Sequence, residues 1–158
     1  MRMDKNADTA TAVFNRELYE ELVETVDQVG EAETAEMLRV IRKNKQYNFD
    51  DPNVSYVVKI VCYHCNIQIS DILNRSTRAR GKMVTLSLIT YILVTCFELK
   101  KWHIAKSIKK SKQAISKYLM FINRLNISDP TTARGKKVQA LYMAIYPEIQ
   151  EYKTKNTV

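Results

Sequence analysis

Two groups of side chains in this sequence have types and spacings that could do chemistry. The first is Cys62-Tyr63-His64-Cys65, followed at a distance by Cys96 and His103. Two thiols at that spacing, with a further thiol and an imidazole, are competent zinc ligands. The second runs from Lys109 to Arg124, where Lys, Gln, Ser and Arg recur at helical spacing around an apolar stripe. Cations, amides and hydroxyls on one helix face suit phosphate oxygens and base edges.

The cysteine group reads as core. Val54, Val57, Val58, Val61, Cys62 and Cys65 follow one another at helical spacing, which puts both thiols on a valine stripe. Free cysteine in that position behaves as a small buried hydrophobe. No strand leads into the pair, against a thioredoxin-like redox site. His64 and His103 have no companion acid at helical spacing, and Asp50-Asp51 reads as a helix start. Three scattered glycines build no phosphate-binding loop. The expectation is therefore a protein that is not an enzyme, with no metal, no cofactor and no small-molecule substrate.

The second group reads as a helix-turn-helix. Ile104, Ala105 and Ile108 face inward on a first helix, and Ala105 is small enough to let a second helix cross closely. Ser111 can cap that second helix, whose inner stripe is Ala114, Ile115, Tyr118, Leu119 and Ile122. The complementary face presents Lys112, Gln113, Ser116, Lys117, Met120 and Arg124. Of these, Lys112, Gln113, Ser116 and Lys117 are expected to meet bases, because the N-terminal part of such a helix enters the major groove. Lys109, Lys110 and Ser111 are expected on the backbone. One position is at odds: the turn often has glycine, for positive φ, where this chain has Lys109.

The elements that must position these residues are helical. Only three glycines and three prolines interrupt 158 residues of 46% hydrophobic content, so the expectation is an all-α, compact helical bundle. Ala12–Val29 carries a stripe of Phe14, Leu18, Leu22, Val26 and Val29 on an acidic helix that Gly30 stops. Glu31–Lys43 forms a second helix with Ala35, Leu38 and Ile41 inward. Together they make an acidic hairpin, residues 1–45, that packs on the main domain or offers its stripe to a partner or a second copy. The main domain spans 50–126. It starts with Asp51-Pro52, and Ser70 caps a short helix. Arg75–Lys82 is a basic loop expected to place Arg75, Arg78, Arg80 and Lys82 on backbone or minor groove, and Met83–Phe97 is a central apolar helix. Residues 127–158 follow as a last helix, with Pro147 starting a polar tail.

Charge is distributed unevenly along these elements. Glu17 to Glu36 holds eight acids and no base, whereas Arg75 to Lys137 holds fifteen bases and two acids. A basic excess of that density is the footprint of a nucleic-acid binder. The most apolar run, Val84–Phe97, is shorter than the ~20 residues of a membrane span. Polar residues 1–8 do not read as a signal peptide, and an odd cysteine count fits reduced thiols in a cytoplasm.

The stretch Val61–Leu73, VCYHCNIQISDIL, then a basic loop, an apolar helix and the helix-turn-helix, resembles the C-terminal DNA-binding domain of the bacterial replication initiator DnaA. The resemblance covers residues 54–125 and is most specific at Asn66–Leu73, NIQISDIL, which is similar to the family's NIKVADLL-like run. It implies that Arg75, Arg78 and Arg80 lie in the loop that contacts minor groove and backbone. Ile104-Ala105 stands where the family has Ile-Gly. The family's Arg-Asp-His-Thr-Thr-Val signature is replaced by Lys110-Ser111-Lys112-Gln113-Ala114-Ile115, so the resemblance implies the scaffold but not the family's target sequence. Nor is the family's ATPase module present in these residues. The expectation is a double-stranded DNA-binding protein, a transcriptional regulator or replication accessory factor. The alternative is a structural or assembly protein, for example of a phage or mobile element, that reuses the scaffold for protein contacts.

Overall fold

The computed structural model describes residues 18–44, 47, 49–74 and 81–156. Every regular element among them is an α-helix, as the scarcity of breakers requires. The chain separates into two units, Met1–Arg39 and Val40–Val158.

A helix over residues 18–29 (α1) lies in the first unit and ends at Gly30, whose φ of 92° turns the chain into α2, Glu31–Asn44, within which the second unit begins at Val40. Glu31 and Glu33 in the first turn and Arg42 and Lys43 in the last suit the helix dipole. Leu18, Leu22 and Val29 of the expected stripe are exposed. The inward face assigned to α2 is also corrected: Ala35, Leu38 and Ile41 are exposed, while Thr34 and Val40 are buried. The Thr34 hydroxyl is satisfied by the Gly30 carbonyl at 2.7 Å, so this polar side chain can take the inner position.

The second unit is built around α5, Lys82–Thr95. Eight of its residues, from Thr85 to Leu93, are buried, because a helix apolar nearly all round has no face to give to water. Against it pack α3, Pro52–Cys65, and α7, Lys112–Leu125, with the short α4, Ile69–Leu73, and α6, Lys101–Ser107, at its edges. Asp51 caps α3, its Oδ1 accepting from the Asn53 amide at 2.8 Å, with Pro52 in the first turn where no donor is needed. Val54, Val57, Val58, Val61 and Cys62 are buried against α5 and its neighbours.

Three boundaries differ from expectation. Ser70 does not cap α4; it lies inside the helix, Gln68 occupies the cap, and the Ser70 hydroxyl donates to Gln68 Oε1 at 3.4 Å. Lys82 is not in the basic loop but is the first residue of α5, after Gly81 at φ 82°. Pro147 starts no tail: α8 runs unbroken from Ala133 to Asn156. Proline removes the amide that would bond Met143, but Pro147 and Met143 both lie on the exposed side, where water can take the freed carbonyl. The turns beyond are held from outside the helix. Ile149 is buried in the core, the Tyr152 hydroxyl donates to Asn53 Oδ1 at 3.1 Å, and Lys153 donates to the Cys96 carbonyl at 2.6 Å.

Candidate nucleic-acid interface

The candidate interface begins where α6 ends. The chain leaves α6 through Lys109 at φ 56°, with the Lys110 amide bonded to the Ala105 carbonyl at 2.9 Å. That six-to-one bond with a left-handed residue is the Schellman arrangement. The turn therefore demands the positive φ for which glycine is usual, and this chain meets the demand with lysine. Ser111 caps α7 as its type suggests, its hydroxyl accepting from the Ala114 amide at 3.1 Å. Ile104, Ala105, Ile108, Ile115, Tyr118 and Ile122 are buried, which fixes the rotation of α7 and turns its opposite face outward.

That outward face forms one open groove. Ser111, Lys112, Gln113, Ser116 and Lys117 line it together with Ala114, Met120, Phe121 and Arg124, and with Met83 from the start of α5. All four residues expected to meet bases are thus brought to one place, and three cations line the groove with no acid. Arg134 of α8 lies over the Phe121 ring, its guanidinium carbon 5.0 Å from the centroid. Ser116 is not idle: Lys101 donates to its hydroxyl at 3.4 Å across the pair of helices. Met120 and Arg124 stand on the expected outward face, though not among the expected base contacts. Phe121, four residues beyond Lys117 on α7, and Met83 are additions, and only Met83 reaches the groove through the packing of another helix.

The residues expected on the backbone scatter. Lys109 does not line the groove but a second pocket, with Tyr47, Phe49, Trp102, His103 and Lys106. Lys110 is half-buried beside it in sequence. Lys82 extends from α5 to donate to the Asn74 carbonyl. Arg75, Arg78 and Arg80 lie outside the described residues.

The remaining candidate chemistry is spent on structure. Burial pushes the Cys62 thiol far above its ordinary range, with Cys65 and Asp71 adding to the shift, so no thiolate forms there near neutral pH. Among the described residues no group of three or more His, Cys, Asp or Glu side chains is placed to hold a metal ion. Neither histidine has an acid at helical spacing, but both meet acids distant in sequence. His64 pairs with Glu148, and His103 Nε2 lies 2.8 Å from Asp51 Oδ2. Among the described residues no helix is long and apolar enough to cross a membrane. No protein-family model, no curated protein and no solved structure matches the chain.

Proposed function

We propose that this chain is a non-enzymatic double-stranded DNA-binding protein, acting as a transcriptional regulator or replication accessory factor in the cytoplasm. The observation that carries the reading is the groove of α7, where Lys112, Lys117 and Arg124 surround Gln113 and Ser116 without an acid among them. In this reading α6 and α7 act as a helix-turn-helix. The amino end of α7 enters the major groove, and Gln113 pairs with an adenine edge through its amide. Lys112, Lys117, Arg124 and the turn lysines neutralise phosphates, and the basic stretch Arg75–Arg80 reaches backbone or minor groove beside the site. The family resemblance of residues 54–125 agrees with this use of the scaffold. With on the order of six phosphates neutralised, affinity falls roughly a thousandfold between about 50 and 200 mM salt. A titration of duplex at those two salt concentrations tests it. Flat salt dependence, or no retained duplex, overturns it.

A second reading, an assembly protein working through protein contacts or self-association, is favoured by the exposed apolar side chains of the acidic unit, Leu18, Leu22, Val29 and Leu38. Oligomers that persist in high salt with no duplex retained select it over the first.

A further inference from the structure

The DNA-facing groove is more apolar than a phosphate-binding surface needs to be. Met120 is 52% exposed and Met83 36% exposed, and both line the groove with Phe121 and Ala114. Solvating two thioether side chains on a charged face is unfavourable unless a partner covers them. Base edges in the major groove carry one apolar feature, the thymine 5-methyl group. Facing cytosine or guanine instead, a methionine strips water from an amino group or an acceptor and returns no hydrogen bond.

Spacing agrees with a reading role. Gln113, Ser116, Lys117 and Met120 stand at i, i+3, i+4 and i+7 on α7, the spacing with which the homeodomain recognition helix presents its base-reading side chains. Met120 is also the one member of that set without a hydrogen-bonding group, so its selectivity rests on shape and apolarity. Methionine suits such a contact because its unbranched chain adapts to the methyl it covers.

Resting on the DNA-binding reading above, we infer that Met120 is a specificity-determining residue that reads a thymine methyl in the major groove, with Met83 completing the apolar wall. Seven helical steps lead from Gln113 to Met120, about 10 Å at ~1.5 Å per residue. The two therefore meet different base pairs, roughly three steps apart at ~3.4 Å per step. The preferred site contains an A·T pair at each end of that interval, one read through adenine by Gln113 and one through thymine by Met120.

The test is selection from a random duplex pool, followed by replacement of each thymine in the recovered duplex by uracil, which removes one methyl and nothing else. The expected result is a site with two A·T pairs at that interval and one thymine whose replacement weakens binding about fourfold, the worth of one buried methyl group. Met120→Ala then binds the thymine and uracil duplexes alike, while Lys117→Ala weakens both and keeps their ratio. Salt-dependent binding that is indifferent to every uracil, or a thymine preference that survives in Met120→Ala, overturns this inference and leaves the DNA reading standing. Failure to retain any duplex overturns both. Met120 is exposed, so its loss does not threaten the fold.

Discussion

The ring of Tyr56 on α3 stacks on the ring of Tyr152 near the end of α8, with centroids 3.9 Å apart and planes inclined by 8°. The Tyr56 hydroxyl donates to the Glu148 carbonyl at 3.1 Å, and the Tyr152 hydroxyl reaches back to Asn53. The last turns of the chain are thereby a clasp on the first core helix. Tyr152→Ala is expected to cost about 2 kcal/mol, from a lost aromatic pair, its buried area and one hydrogen bond. Urea unfolding measures this, and an unchanged midpoint would mean that the clasp contributes nothing.

Gly135 is buried at the start of α8, where the chain returns towards the end of α7. A Cβ at this position would lie 2.9 Å from the Leu125 carbonyl oxygen and 3.0 Å from both Pro130 Cβ and Thr132 Oγ1. Backbone and a proline ring cannot swing aside as a flexible side chain can. Gly135→Ala is therefore expected to destabilise by about 2 kcal/mol in spite of alanine's better helix propensity. Thermal unfolding that matches wild type would show that the α7–α8 corner can open freely.

Lys109 carries two opposed demands. Its φ of 56° is strained for an L-residue, and its ammonium is one of the cations proposed to meet phosphate. Lys109→Gly is expected to gain about 1 kcal/mol in stability by relieving the backbone. It is also expected to weaken duplex binding uniformly across sequences and to lower the salt slope by about one. Denaturation and a salt-resolved binding titration on one preparation separate the two effects. A gain in stability with unaltered binding would remove Lys109 from the interface.

Asp51 joins the cap of α3 to His103 of α6. Burial pushes its carboxyl up, but the His103 hydrogen bond and the amides of Asn53 and Val54 outweigh that and hold it below its ordinary 3.8. A carboxyl lowered by folding stabilises fully above its unfolded value and loses that contribution as pH falls through the folded value. Asp51→Asn keeps a capping oxygen and loses the charge. The variant is expected to be less stable than wild type at neutral pH by under about 1 kcal/mol, since water screens much of the pair. The gap should begin to narrow as pH falls below 3.8, the ordinary value, and close as it falls through the lower folded value. Urea midpoints at neutral pH and at pH about 3 measure it; a gap that persists in acid would place the stabilisation elsewhere.

Much of the scaffold was legible because its signals are local. Asp51-Pro52 announces a helix start, Ser111 a cap, and the stripe from Ala114 to Ile122 fixes which side of α7 is buried, as the buried Ile115, Tyr118 and Ile122 bear out. Elsewhere the local rules were incomplete. Pro147 ends an isolated helix, but α8 continues because Ile149, Tyr152 and Lys153 have anchors on α3 and beyond α5. Ser70 has a capping side chain but not the capping position. The two histidines have no acid within a helical turn, yet chain return supplies Glu148 and Asp51.

By itself, then, the sequence determined that the chain is all-helical, that its charge is split between an acidic start and a basic centre, and that Lys112, Gln113, Ser116 and Lys117 share one outward face. Helical periodicity and local capping suffice for that, since both act over a few residues. Only the tertiary structure decided what stands beside that face. Met83 arrives from α5, Arg134 of α8 lies over the Phe121 ring, and Lys109 turns into a different pocket. These relations depend on how separate helices pack, and packing is settled by the whole core together, which no single stretch of sequence encodes.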